Sequence, residues 1–210
     1  MRLSLLFVIA IVFFGCSQER ELSAFEPSTD NILDTELPST ISNDSNGPHL
    51  NESGTYNYLA LGDSYTIGAS VTTAESFPIQ LKHRLEQGLK VTVNTEIIAV
   101  TGWRTDNLLD AINRGTALPS YDLVTLLIGV NNQYQGKPFR IYKKEFPQLL
   151  ERAIALAYGN PKNVVVVSIP DYSYTPFGEG RNTDKISKEI DEYNSIAEAT
   201  ALQKGVPFVN

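Results

Sequence analysis

The fold is decided by the stretch YLALGDSYTIG, residues Tyr58–Gly68. An apolar run leads into Gly62-Asp63-Ser64, so the pattern predicts a buried strand that ends in a turn. Hydrolases often carry their nucleophile in such a turn, but a serine hydroxyl needs a base before it can attack at neutral pH. The stretch taken alone also fits an ordinary turn, because Gly, Asp and Ser are common turn residues.

Strand and helix patterns alternate from this stretch to the end of the chain. The predicted strands are Tyr56–Leu61, Val91–Val100, Asp122–Ile128, Val164–Ile169 and Val206–Val209. The predicted helices are Glu75–Gln87, Asp106–Asn113, Phe139–Tyr158 and Thr183–Gln203, with a kink or a division into two segments at Pro147. This alternation predicts an α/β fold in which helical crossovers join parallel strands and cover both faces of the sheet.

Three predicted strands are followed by residues whose chemistry is complementary. Ser64 offers a hydroxyl nucleophile, Gly102 a backbone N–H that no side chain shields, and Asn131 a neutral amide donor. Ligands bind beyond the carboxyl ends of parallel strands, so these residues are expected at one edge of the sheet. Three donors around one developing negative charge would form an oxyanion hole, with the N–H of Ser64 as the third.

Gly62-Asp63-Ser64, Gly102 and Gly129-Val130-Asn131 resemble, in order and spacing, the first three blocks of the SGNH, or GDSL, hydrolase family. The resemblance covers roughly Tyr56–Asn210, and we expect the hydrolase domain over residues 55–210. It implies a flavodoxin-like three-layer α/β/α fold with a five-stranded parallel sheet in the order 2-1-3-4-5. It also implies carboxylic ester hydrolysis through Ser64, with Asp63 bracing the nucleophile loop.

The sequence departs from the family pattern at two places. Asn132 stands where the family commonly has Asp, and no Asp-x-x-His block, which supplies the base and its carboxylate, follows the fifth strand. His49 lies in a polar segment and His83 is expected on the solvent face of a helix, so neither is predicted to be the base. We therefore expect a chain truncated before its last block and, as given, close to inactive.

Composition narrows the range of partners. A net charge of −7 and a pI near 4.9 argue against a nucleic-acid partner, because phosphate contacts need clustered Lys and Arg. The acidic residues show no metal-ligand spacing, and no cofactor is implied. Aromatic residues that follow the strands are interpreted mainly as packing residues: Trp103, Tyr134, Tyr172, Tyr174 and Phe177.

The N-terminus predicts export. Residues 3–15 form an apolar run that is too short to span a bilayer but is typical of a signal peptide. Cys16, the only cysteine, follows directly, and Phe13-Phe14-Gly15-Cys16 resembles a bacterial lipobox, although Phe13 replaces the usual leucine. We expect a signal peptide over residues 1–16, lipidation of Cys16, a disordered polar tether over 17–54, and a membrane lipoprotein on the periplasmic or outer side. The alternative is a conventional signal peptide cleaved nearby.

Three functions remain open from the sequence. The first is a serine ester hydrolase acting on a small-molecule, lipid or acylated-carbohydrate ester. The second is an acyl or acetyl transferase on the same scaffold, which product analysis with an acceptor alcohol would distinguish. The third is a surface binding module that keeps the fold without a catalytic base.

Overall fold

The computed structural model describes residues 54–210, and its centre is a parallel sheet in the order β2-β1-β3-β4-β5. The strands are β1 Thr55–Gly62, β2 Thr92–Ala99, β3 Leu123–Leu127, β4 Val164–Val167 and β5 Phe208–Val209. The order confirms the 2-1-3-4-5 sheet implied by the family resemblance. The predicted signal peptide, Cys16, the tether up to Ser53 and His49 lie outside the described residues.

Six α-helices connect the described strands. They are α1 Ser64–Ile67, α2 Phe77–Leu89, α3 Thr105–Asn113, α4 Val130–Tyr134, α5 Phe139–Leu156 and α6 Thr183–Gln203. Single 3-10 turns lie at Thr73–Glu75, Pro161–Asn163, Tyr172–Tyr174 and Pro176–Gly178. Within residues 54–210, no helix combines the length and apolar character needed to cross a membrane.

The alternation of side chains along β1 produces the three layers. Leu59 and Leu61 pack into the main core with residues of α3, α5 and α6, whereas Tyr58 and Ala60 face the opposite side with residues of α2. Successive residues of a strand point to opposite faces of a sheet, so a continuous apolar run is buried on both sides only if helices cover both. The flavodoxin-like three-layer prediction is therefore confirmed.

Strand register brings the ends of the first three strands to one edge. Gly62, the last residue of β1, pairs with Ala99 on β2 and with Leu127 on β3. The chain therefore leaves all three strands at the same level. The loops that follow them lie side by side, as expected from the sequence.

Of the two alternatives expected at Pro147, the division into two segments is wrong, because α5 runs as one helix through that residue. The kink stays a prediction. Proline removes the hydrogen bond to the carbonyl four residues earlier, which belongs to Lys143. Lys143 is exposed, so water can solvate that carbonyl, and Phe146 and Leu149 on either side of the proline are buried in the core. Burial of the apolar face holds the helix together.

Candidate active site

Ser64 is the first residue of α1, directly beyond the end of β1. The turn is tight: a Cβ on Gly62 would lie 2.0 Å from Thr66 Oγ1 and 2.5 Å from the carbonyl oxygen of Leu127. Only glycine fits at this position. The helix ends after one turn at Gly68, whose positive φ of 81° suits glycine. This short turn leaves Ser64 half-buried at the strand edge.

Asp63 caps this turn and is fully buried. Its Oδ1 accepts a hydrogen bond from the N–H of Tyr65 at 3.1 Å, whereas its Oδ2 is buried without a hydrogen-bond partner among the described residues. Burial raises the pKa of Asp63 from its ordinary 3.8 to about 7, and the Tyr65 N–H opposes that rise only in part. The group beneath the nucleophile is therefore protonated in a substantial fraction of molecules near neutral pH.

Gly102 lies in the turn that follows β2, with a positive φ of 85°. A Cβ at this position would meet no atom within 4 Å, so the requirement for glycine comes from the backbone conformation and not from crowding. Among residues 54–210, neither the N–H of Gly102 nor that of Ser64 donates to another protein group. Both are free to donate to a ligand.

Asn131 lies in α4, a short helix that the sequence patterns did not reveal. Before it stands Gly129, with a φ of 137° and no room for a Cβ, which would lie 2.6 Å from Tyr142 Cε2. The Asn131 Nδ2 donates to the carbonyl of Trp103 at 2.9 Å. An amide nitrogen carries two protons, so this bond orients the group and leaves one proton for a substrate oxygen.

The turn after β2 is tied to α4 by further hydrogen bonds. Gln135 Nε2 donates to the Gly102 carbonyl at 2.9 Å, and Gln135 Oε1 accepts from Arg104 Nη1 at 2.8 Å. Deeper in the protein, Asn132 and Thr105 form two hydrogen bonds with each other, and Thr105 Oγ1 donates to Glu145 Oε2 at 2.5 Å. These partners were not identified from the sequence, because no local pattern links residues 27 to 40 positions apart.

One cleft of about 700 Å³ contains all three residues predicted to act on substrate: Ser64, Gly102 and Asn131. Its wall is mainly apolar and includes Val71, Phe77, Val130, Tyr134, Tyr172 and Phe177. The interpretation of the aromatic residues as packing is therefore incomplete, since Tyr134, Tyr172 and Phe177 line the cleft. An adjoining cleft of about 520 Å³ shares Tyr134 and Tyr172 with it.

The described residues supply no histidine to Ser64. His83 lies on α2, away from the cleft, with 57% of its side chain exposed and its Nδ1 3.5 Å from Glu86 Oε2. This agrees with its predicted solvent-facing position. Within residues 54–210, no three His, Cys, Asp or Glu side chains cluster closely enough to hold a metal ion.

Comparisons with known proteins identify the family and the shared fold. The sequence profile of the GDSL-like Lipase/Acylhydrolase family matches residues 60–210. Similar solved structures include AlinE4, described as an SGNH-hydrolase family esterase, with 18% identity over 74% of this chain and 75% of that one and a TM-score of 0.58. No curated protein was found to match the chain.

Two further similar structures come from Enterococcus faecalis and Geobacillus stearothermophilus. The lipase/acylhydrolase from Enterococcus faecalis is 18% identical over 74% of this chain and 75% of that one, with a TM-score of 0.54. A variant of Axe2, an acetyl xylan esterase from Geobacillus stearothermophilus, is 17% identical over 74% and 76%, with a TM-score of 0.55. At these identities the structural likeness establishes the shared fold.

Proposed function

The chain belongs to the GDSL-like lipase/acylhydrolase family, and on that premise we propose that it hydrolyses carboxylic esters through an acyl-enzyme on Ser64. The observation that carries the proposal is the shared cleft: a hydroxyl, two free backbone N–H groups and an oriented amide line the same space. These are the nucleophile and the oxyanion donors that acyl transfer requires in addition to a base.

In the proposed mechanism, a base takes the proton of Ser64 Oγ, and the oxygen attacks the ester carbonyl carbon. The carbonyl oxygen becomes an oxyanion and accepts hydrogen bonds from the N–H groups of Ser64 and Gly102 and from Asn131 Nδ2. Each such donor is worth on the order of 10²–10³ in rate. The tetrahedral intermediate collapses, the alcohol leaves with the proton, and water then hydrolyses the acyl-enzyme with help from the same base.

We propose that the base is the histidine of an Asp-x-x-His block lying beyond residue 210. The family pattern supports this assignment, as does the position of His83 on the exposed face of α2. A chain that ends at Asn210 would then have little activity, and adding the block would raise turnover by several orders of magnitude.

The apolar cleft is suited to the acyl part of the substrate. Its wall of aliphatic and aromatic side chains would exclude water from the reacting carbonyl, which strengthens the hydrogen bonds to the oxyanion. We therefore propose short p-nitrophenyl esters as test substrates. Titrating an added acceptor alcohol would reveal transfer in place of hydrolysis, because the acylated alcohol would then appear among the products.

The full-length protein tests the nucleophile. Ser64→Ala should lower the turnover of p-nitrophenyl acetate by at least about 10³-fold, because it removes the hydroxyl that is proposed to form the acyl-enzyme. Ser70→Ala is the matched control, since Ser70 lines the same cleft and should be dispensable. Equal turnover by Ser64→Ala and wild type would refute the acyl-enzyme, and a full-length protein that binds esters without turning them over would be a binding module.

We also propose that the protein is exported and held at a bacterial membrane by lipid on Cys16. The apolar run before this cysteine and its lipobox-like context support the proposal. Cys16→Ser should move the protein from the membrane to the soluble fraction of the producing cells. A membrane fraction unchanged by the substitution would refute the anchor.

A further inference from the structure

A buried chain of hydrogen bonds runs beneath the cleft from α4 to α5. It consists of Asn132, which is 1% exposed, Thr105, which is fully buried, and Glu145, which is half-buried. Asn132 Oδ1 accepts from the Thr105 N–H at 3.0 Å, Asn132 Nδ2 donates to Thr105 Oγ1 at 2.7 Å, and Thr105 Oγ1 donates to Glu145 Oε2 at 2.5 Å. We call these three residues the relay.

The direction of each bond in the relay follows from counting protons. A threonine hydroxyl has one proton, and a carboxylate can only accept, so the bond to Glu145 takes the hydroxyl proton of Thr105. Toward position 132, Thr105 therefore offers an oxygen that must accept and a backbone N–H that must donate. A neutral amide satisfies both at once, whereas a carboxylate would satisfy only the N–H.

The donor and the acceptor that Thr105 presents to position 132 explain why the chain has Asn132 where the family commonly has Asp. With Glu145 in place, an Asp at 132 would direct two carboxylates at one hydroxyl that carries a single proton. One buried acceptor would then be left without a donor, which is costly in a site that excludes water.

The relay lies directly behind the proposed oxyanion hole. Asn132 adjoins Asn131, and Thr105 is the third residue after Gly102, so the two bonds between Asn132 and Thr105 set the distance between the segments that carry both donors. Displacement of catalytic groups by about 1 Å can cost on the order of 10²-fold in rate.

We propose that Glu145, acting through Thr105, is a positioning residue that dictates the amide at position 132 and holds the oxyanion donors in register. The relay itself is independent of the chemistry at Ser64, but its catalytic effect rests on the proposed function. Glu145 touches no substrate. Its carboxylate fixes the direction of hydrogen bonding, and α5 anchors it against the core.

The test is a double-variant cycle in the full-length protein. Glu145→Gln alone should be mild, about threefold in kcat or less, because the Gln Oε1 can still accept the Thr105 proton. Asn132→Asp alone should lower kcat by about 10–100-fold with a smaller change in KM, because two carboxylates facing one hydroxyl would push apart the segments that carry the oxyanion donors. The pair Asn132→Asp with Glu145→Gln should return to within about threefold of wild type, because all three bonds form again: the Thr105 N–H still donates to position 132, and the two bonds of the Thr105 hydroxyl reverse their direction.

The control pair combines Asn132→Asp with Glu151→Gln. Glu151 lies on the same helix and its removal changes the charge equally, but its carboxylate is 63% exposed and binds Lys204 at 2.8 Å. This pair should remain as impaired as Asn132→Asp alone. Equal recovery in both pairs would mean that total charge, and not the relay, governs the defect, and would overturn the proposal.

Urea unfolding of the same variants separates this inference from the proposed function. The unfolding midpoints should show the same non-additive rescue whether or not Ser64 is the nucleophile. Additive midpoints, or a double variant that fails to fold, would overturn the relay. A rescue in stability without a rescue in kcat would overturn the positioning role. Unchanged turnover in Ser64→Ala would refute the proposed function and would leave the stability result standing.

Discussion

Replacing the buried acid of Asp63 with the isosteric amide of asparagine should change how stability depends on pH. A pKa of about 7 in the folded protein, against 3.8 ordinarily, means that ionising Asp63 costs the folded state about 4 kcal/mol more than the unfolded chain. Between these two pH values the folded state keeps a proton that the unfolded chain has released. The free energy of unfolding should therefore fall with rising pH, by up to about 1.4 kcal/mol per pH unit.

The protonated Asp63 contributes to the free energy of unfolding. This contribution is fully present below pH 3.8 and is lost as the pH rises through 7. The amide in Asp63→Asn would not titrate, and its oxygen can still accept from the Tyr65 N–H, so the variant should lack this loss. The difference in unfolding free energy, variant minus wild type, should grow by about 4 kcal/mol between pH 4 and pH 8. All other titrating groups are common to both proteins and cancel in the difference.

Urea unfolding at several pH values, followed through Trp103, measures this difference. Trp103 is the only tryptophan, and it is half-buried beside the site, so its fluorescence reports loss of the fold there. Asp110→Asn, which removes an exposed carboxylate on α3, provides the baseline to subtract. A difference that stays constant within about 1 kcal/mol from pH 4 to pH 8 would refute the reasoning, because it would mean that Asp63 Oδ2 is solvated or paired.

Three further substitutions probe the cleft and its supports. Gly62→Ala should lower the free energy of unfolding by about 3 kcal/mol in urea titrations, because its Cβ would overlap Thr66 Oγ1 and the Leu127 carbonyl; an unchanged midpoint would contradict this. Gly102→Ala should cost only about 1–2 kcal/mol of stability, because its positive φ disfavours alanine. It should lower kcat about tenfold, because relaxation of this backbone would move the N–H away from the oxyanion, and a normal kcat would contradict this expectation. Phe177 is 65% exposed, so Phe177→Ala should change the free energy of unfolding by no more than about 0.5 kcal/mol. The substitution should lower kcat/KM about tenfold more for p-nitrophenyl butyrate than for p-nitrophenyl acetate. An equal effect on both esters would mean that Phe177 does not contact the acyl chain.

The architecture was predictable because it depends on short-range patterns. The central strands β1 and β3 bury consecutive residues along most of their length, so they appear in the sequence as apolar runs. The stripe of Ile186, Ile190 and Tyr193 marks the buried face of α6. That helix begins and ends at the predicted residues, with Gly205 two positions beyond its end. The parallel arrangement then places all strand ends on one edge, so the cleft residues Ser64, Gly102 and Asn131 could be grouped from the sequence alone.

The continuity of α5 shows where local rules fail. A proline inside a helical pattern predicts a break, since it removes a hydrogen bond and crowds the preceding turn. At Pro147 that local cost is outweighed by the burial of Phe146, Leu149 and Leu150, none of which is more than 1% exposed. The balance depends on which partners cover the helix, and no pattern within the helix contains that information.

The buried polar residues around the site could not be predicted from the sequence for a related reason. Glu145 follows two lysines in a helix whose charged residues suggest a solvated face, yet it accepts a hydrogen bond from a fully buried threonine. Asp63 occurs in a turn motif typical of exposed loops, yet it is buried with one oxygen unpaired among the residues that the structure describes. Burial of a polar group becomes known only when its neighbours are known, and burial determines both its hydrogen-bonding direction and its charge.

The departure at Asn132 illustrates how tertiary contacts can reverse a conclusion drawn from a motif. The family pattern alone suggests that position 132 has lost a charge, because Asn132 stands where the family commonly has Asp. Together with Thr105 and Glu145, it becomes the one side chain that matches both a donor N–H and an acceptor hydroxyl. The identity required at one position of a motif thus depends on a carboxylate thirteen residues further along the chain, on a different helix. A substitution at position 132 can therefore be judged only together with the residue at position 145.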